Sequence, residues 1–374
     1  MRTGDFTVDA LGGHVRIRLD FAEHAFDEQR FREFEEPWRD ASPHRNEAGA
    51  AVVNPVAELV WRFPDAAGTP GSIAELSTYA TLAAIESKRG RLLMLHAAGI
   101  ADASGEVLAF IGPSGKGKTT LARTLGSDYG YVTDETVGID SDGAVHPYRK
   151  PLSVLRSGQD FKEQLAPSAL GLRELPGVPL RLGGLVVVDR DEDFAGPPRI
   201  VTLGLCGALA AIVPEASYLA DMDKPLQNIA RHVDRSGAIQ QVTYREASQV
   251  LPLVPELLSR VEPGPWAAVM PAVNAGVRSP FADESFVPSL VLDAVEADGQ
   301  TAVLDANRVV HVLDGVGPLV WRTLSDGLDF EAILGEVQRE FGAPPEQNLD
   351  AAVVDVLAAF ADAGLVLRLP EPHA

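Results

Sequence analysis

The run Gly112-Pro-Ser-Gly-Lys-Gly-Lys-Thr119 satisfies the spacing G-x-x-x-x-G-K-[ST] at every defined position. A loop of this kind turns its backbone N–H groups inward onto an anion and adds the partial positive charge of a helix N-terminus. Gly112, Gly115 and Gly117 supply the freedom in φ and the close backbone approach that such a turn needs. Lys118 then reaches the β- and γ-phosphates, and the Thr119 hydroxyl ligates Mg2+. The nucleotide-binding stretch predicted on this basis is Gly112, Pro113, Ser114, Gly115, Lys116, Gly117, Lys118, Thr119 and Thr120. Phosphate binding alone is not transfer. Transfer also needs a metal-directed carboxylate and a group that orients or deprotonates the nucleophile. Two acidic positions qualify: the pair Asp134-Glu135, and Asp189 at the end of an apolar run.

These residues need elements to carry them. The apolar segment Glu106–Ile111 reads as the strand before the loop, and Thr120–Leu125 as the helix after it. Tyr129–Thr133 reads as the strand that delivers Asp134-Glu135, and Gly184–Val188 as the one that delivers Asp189. Val137–Asp140 and Val145–Tyr148, joined at Asp142-Gly143, form a hairpin pattern. Leu92–Leu95 reads as a short strand that ends at His96. Helices are predicted over Ile73–Arg89, Leu203–Val213 and Gln227–Val233. Ahead of them, residues 1–71 read as a small β-rich region of unknown role. Its strands are expected at His14–Asp20, Val52-Val53 and Leu59–Phe63.

Residues 263–288 are rich in Pro and Gly and read as a linker. Residues 289–374 then show three short strands, Leu290–Val295, Thr301–Leu304 and Val309–Leu313, followed by three helices. The last helix carries Leu349, Val353, Val356, Leu357 and Phe360 at helical spacing, with Gly364 at its end. The division predicted is thus 1–71, an α/β domain over 72–262, the linker 263–288, and a βββααα domain over 289–374.

The block from Leu95-His96-Ala-Ala-Gly99 through the loop to Val132-Thr-Asp-Glu135 and Pro147-Tyr-Arg-Lys-Pro-Leu152 resembles the catalytic domain of the HPr kinase/phosphorylase superfamily. The resemblance implies an HPr kinase-like P-loop fold, ATP with Mg2+, and a seryl or threonyl acceptor. It implies Asp134 as general base, Glu135 as a metal ligand beside Thr119, and His96 near the phosphates with Lys118. Residues 196–210 lack that family's downstream Gly/Arg-rich signature, so action on HPr itself is not expected. Residues 289–369 look like a PqqD-like winged-helix domain, through Leu313-Asp-Gly-Val-Gly-Pro-Leu-Val-Trp321, Leu324-Ser-Asp-Gly327 and Ala363-Gly-Leu-Val366. This second resemblance implies capture of a precursor leader peptide as an added strand along Arg308, Val309, Val310, His311, Val312 and Leu313.

Together the two resemblances imply a peptide kinase of ribosomal natural-product biosynthesis, similar to lasso-peptide tailoring kinases. Its expected partners are a precursor peptide, other tailoring enzymes and further copies of itself. The alternatives are a nucleotide-binding peptide chaperone and a small-molecule hydroxyl kinase. Composition narrows the field from the other side. With 53 acidic residues against 32 basic, the net charge of −21 disfavours nucleic-acid binding, which relies on Lys and Arg. The lone Cys206 leaves no intramolecular disulfide and no Cys-based zinc site. No signal segment or membrane-spanning run is seen, so a cytoplasmic location is expected.

Overall fold

The computed structural model describes residues 2–21, 28–42, 55–62, 70–155, 162–272, 276–279, 284–342 and 348–370. The strand expected at Val52-Val53 lies outside them. The chain divides into two compact units. One holds Met1–Val201, Glu215–Met222 and Arg235–Val261; the other holds Thr202–Pro214, Asp223–Asp234 and Glu262–Ala374.

The first unit opens with a hairpin, β1 (Arg2–Ala10) and β2 (Gly13–Phe21), and β3 (Ala57–Arg62) lies parallel to β2. Val15, Ile17 and Leu19 alternate inward along β2 and are fully buried. Helix α1 (Glu28–Glu35) adds Phe34, the turn after it adds Trp38, and α2 (Pro70–Ser87) adds Leu76, Ala80 and Ala84 to the same core. Met94 and Tyr148 belong to that core too, so the N-terminal strands share it with the sheet that carries the P-loop.

That sheet is built on β4 (Leu93–Ala101) and β5 (Glu106–Ile111). Helix α3 (Lys118–Leu125) follows the loop, and β6 (Gly130–Thr133), β7 (Thr136–Ile139) and β8 (Val145–His146) come next. A small hairpin, β9 (Leu152–Leu155) with β10 (Lys162–Leu165), stands apart from it. Then come β11 (Arg181–Arg190), β12 (Arg199–Thr202), β13 (Ala216–Ser217) and β14 (Gln240–Tyr244), with the short helix α6 (Val254–Leu257) after the last of these strands. Their order is β12-β14-β11-β5-β4-β7-β8, with β13 and β6 also paired to β4. β11 is parallel to β5 and to β14, and β4 is antiparallel to β5. The fold is mixed α/β, as the pattern of strands and helices predicts. One detail differs. β4 does not stop at His96 but runs on through Ala97, Ala98 and Gly99, because small residues let a central strand continue between two close neighbours.

In the second unit β18 (Val291–Ala297), β19 (Gln300–Asp305) and β20 (Val310–Leu313) form the expected three-strand meander. Three helices follow, α7 (Gly317–Ser325), α8 (Phe330–Phe341) and α9 (Leu349–Asp362). Asp329 and Asn348 cap α8 and α9 by accepting backbone N–H bonds. Gly364 at φ 75° ends the last helix, and β21 (Val366–Pro370) leaves it.

The Pro-rich stretch expected as a linker contributes paired strands where it is described. β15 (Trp266–Ala268) adds to β18, and β16 (Val277–Arg278) and β17 (Glu284–Pro288) form a sheet with β21. The proline in β17 is its last residue, where the loss of an N–H disturbs the ladder least.

Two helices complete this unit, α4 (Leu205–Ile212) and α5 (Pro225–Ser236, up to Asp234). Cys206 of α4 lies 3.4 Å from the Gln300 carbonyl oxygen. The α5 residue Gln227 donates to Asp293 of β18 twice, from its backbone N–H at 2.9 Å and its side chain at 2.7 Å. Asp293 is completely buried. Asp293→Ala should therefore lower stability by about 1–3 kcal/mol, the cost of stranding buried donors. Urea unfolding of the full chain measures it, and a loss below about 0.5 kcal/mol would refute this role for the carboxylate.

Candidate functional site

β4 has two edges, and four strands use them. Leu93–His96 pairs with β7, and Gly99–Ala101 pairs with β6. Ala97–Ala101 pairs with β5, and Met94-Leu95 with β13. β5 and β13 therefore lie end to end along one edge, and β6 and β7 along the other. Both junctions fall at the level of His96 and Ala97. On one edge Ile111 pairs with Ala97 and the P-loop departs; on the other the chain turns through Asp134-Glu135. The Thr133 hydroxyl accepts the N–H of Glu135 at 3.1 Å and of Thr136 at 3.3 Å, which builds that turn. The Glu135 carbonyl accepts the N–H of Ala97 at 3.2 Å.

The loop has the form its motif predicts. Gly115 and Gly117 have φ of 84° and 83°. A Cβ at Gly112 would fall 2.6 Å from Val188 Cγ2, so only glycine lets β11 run this close. Nothing stands within 4 Å of where a Gly115 Cβ would be. The loop thus keeps an open concave face of backbone, as a phosphate requires. Lys118 is buried, and its Nζ donates to the carbonyls of Gly112 and, at 3.1 Å, of Pro113. Burial pulls its pKa below the ordinary lysine value, and the carboxylates of Glu215 and Glu135 offset part of that shift. Lys116 reaches the Arg190 carbonyl at 3.4 Å.

Asp134 is buried and holds two donors on one oxygen. Tyr131 donates to its Oδ1 at 3.1 Å, and Lys150 Nζ lies 3.3 Å from the same atom. Lys150 Nζ also lies 3.4 Å from Glu135 Oε2. Burial alone would lower the Lys150 pKa, but the two carboxylates more than offset it and raise it. His96 Nδ1 stands 3.1 Å from the Glu135 carbonyl and 3.5 Å from its Oε1. The structure thus brings Lys118, Glu135, Asp134 and His96 together. Lys150 and Glu215 join them without having been singled out. Lys150 sits inside the Pro147–Leu152 block, where a basic residue after a hairpin gave a weak signal. Glu215 had none.

Asp189 also lies beside the loop, since Val187, two residues before it, pairs with Ile111. Its Oδ2 accepts from Thr243 at 3.1 Å and faces Gln241 at 3.4 Å. It is thereby tied to β14, while the charges that act on Lys118 come from Glu215 and Glu135. Among the described residues, no three His, Cys, Asp or Glu side chains form a ready-made metal cage. Mg2+ rarely uses one: it keeps waters and takes one or two carboxylates plus phosphate oxygens. Thr119 and Glu135 fit that pattern.

In the second unit β20 ends its sheet, and no described strand pairs with its outer edge. Val312 within β20 and Val309 just before it are exposed. Arg308 takes φ 69° in the turn before it. His311 Nε2 lies 3.1 Å from Asp305 Oδ2. Burial works to raise the Asp305 pKa, yet the Val309 N–H at 2.8 Å and the His311 contact outweigh it, so the pKa is lowered. His311 thus pins the turn that aligns β20.

Residues 300–366 match the family model described as Coenzyme PQQ synthesis protein D (PqqD). The match runs from the start of β19 to the first residue of β21, and the chain carries a PqqD domain there. No curated protein matches the chain. Among solved structures, the Hpr(Ser) kinase/phosphatase from Coxiella burnetii is similar over 44% of this chain and 93% of its own, with 11% identity and a TM-score of 0.25. At that score the chemistry has to come from the side chains of the site. No helix among the described residues is long and apolar enough to cross a membrane.

Lys150→Met should cost about 3–5 kcal/mol, because it strands two carboxylates that one buried cation now balances. Adding Asp134→Asn and Glu135→Gln should restore part of the loss in denaturant unfolding. No restoration would mean that the charges are not coupled. The raised pKa of Lys150 fixes the sign with pH. Its contribution is complete below the unfolded lysine pKa of about 10.4 and is lost as pH rises through the higher folded value.

Proposed function

We propose that this chain is an ATP-dependent kinase that phosphorylates a Ser or Thr hydroxyl of a ribosomally made precursor peptide. Its PqqD domain holds the leader of that peptide. The observation that carries the reading is the meeting of the P-loop and the Asp134-Glu135 turn on opposite edges of β4. A phosphate-binding cradle and a carboxylate pair are the two parts that transfer chemistry requires.

The backbone N–H groups of Gly112–Thr119 and the ammonium of Lys118 hold the nucleotide phosphates. Thr119 and Glu135 would hold Mg2+, which when bound would supply charge neutralisation at the phosphates. Tyr131 and Lys150 both occupy Asp134 Oδ1 and leave Oδ2 as the oxygen that takes a proton. Asp134 accepts the proton of the acceptor hydroxyl as its oxygen attacks the γ-phosphorus. The bond between the γ-phosphorus and the bridging oxygen then breaks, and ADP leaves. Lys150 balances the charge of the carboxylate, and His96, bonded to the Glu135 turn, holds that turn against β4. In the PqqD domain a leader adds to the open edge of β20, where backbone pairing gives affinity and Val309 and Val312 give apolar contact.

Purified protein, ATP, Mg2+ and the cognate precursor should yield a peptide heavier by about 80 Da, one added phosphoryl group. Asp134→Asn should cut transfer by about 10²–10⁴-fold and leave ATP affinity within about threefold of wild type. Loss of ATP binding in that variant would make Asp134 a structural residue. Val312→Asp should weaken leader binding at least tenfold without changing the unfolding midpoint, as isothermal titration and thermal melts can establish. Undiminished binding would place the leader elsewhere.

A further inference from the structure

Glu215 lies outside every motif in the chain, yet register brings it to the P-loop. Ile111 of β5 pairs with Ala97, and Ala216 of β13 pairs with Leu95 on the same edge of β4. Continuing either register by one residue reaches the level of His96, with Gly112 arriving from one side and Glu215 from the other. The Gly112 carbonyl is one of the two that accept from Lys118 Nζ. Glu215 is half-buried. Across β4, His96 touches Glu135. The mouth of the loop therefore has a carboxylate at each side, Glu135 on one edge and Glu215 on the other. Two carboxylates repel the phosphates of a bare nucleotide and attract a divalent cation bound to them.

Resting on the reading of the loop as an ATP site, we propose that Glu215 is a further metal-directed carboxylate of that site. With Thr119 and Glu135 it makes nucleotide binding depend on a divalent cation.

The probes are ATP in EDTA and ATP with Mg2+, titrated into the full-length protein by calorimetry. Wild type should bind ATP more tightly with Mg2+. In Glu215→Gln that enhancement should fall about tenfold, with affinity for metal-free ATP unchanged or higher. Glu215→Asp, which keeps the charge, should retain part of the enhancement. An undiminished enhancement in Glu215→Gln overturns the proposal, and so does an equal loss with and without Mg2+, which marks a structural role. A wild type that binds no ATP in either condition overturns the ATP reading itself. A protein that passes these tests but never labels a peptide overturns only the peptide-kinase reading.

Discussion

The site depends on one buried cation. Lys150 is almost fully enclosed and stands 3.3 Å from Asp134 and 3.4 Å from Glu135. Removing an ammonium from water costs several kcal/mol, and only close opposite charge with satisfied protons repays it. Here two carboxylates and the Pro151 carbonyl, at 3.2 Å, supply those partners. The arrangement holds the turn at Asp134-Glu135 to the segment that follows the β7–β8 hairpin. It therefore fixes the orientation of both acids within the fold itself, and a group oriented in advance need not be ordered when a ligand binds.

The second constraint is the double use of β4. A strand offers two edges, and this one shares each between two partners. Sharing demands that the neighbours leave or arrive at the same level, and loops that leave or arrive at one level form a site. Ala97, Ala98 and Gly99 make this possible. A Cβ at Gly99 would come within 3.1 Å of Val132 and Val137, so bulk at that position would force β6 and β7 apart. The crowding that excludes larger side chains there also sets how near Asp134 stands to the loop.

Features fixed by local geometry could be read from the sequence. The P-loop needs glycines at set intervals between a strand and a helix, and Gly115 and Gly117 take the positive φ this implies. Asp134-Glu135 follows a short apolar strand, and the meander with its three helices shows plain periodicity. Features fixed by distant pairing could not. Lys150 looks like any basic residue after a hairpin, because its charge partners are brought to it by β6 and β7. Glu215 gains meaning only from the register of a two-residue strand. The helical pattern of α4 and α5 is legible, but an apolar helix face does not say which sheet will cover it. The prolines of 263–288 suggest open chain, yet strands tolerate proline at an end or an edge, and Pro288 closes β17. His311 shows the same limit: its contact with Asp305 appears only once β19 and β20 are paired.

The same logic bears on why a peptide unit should share a chain with a phosphate loop. An open strand edge gives backbone pairing to almost any extended segment, so selectivity must come from side chains and from what happens after capture. On β20 the exposed valines offer shape but little charge, and the His311–Asp305 contact is turned to holding the strand in line. On the peptide-kinase reading, a surface like that would hold a leader without reading its reactive residue, and the choice of acceptor would fall to the residues around Asp134. Tethering raises the local concentration of an acceptor to about the millimolar range for a short connection. A kinase site served in that way would need little affinity for free peptide, and its specificity would rest on two loose selections in series.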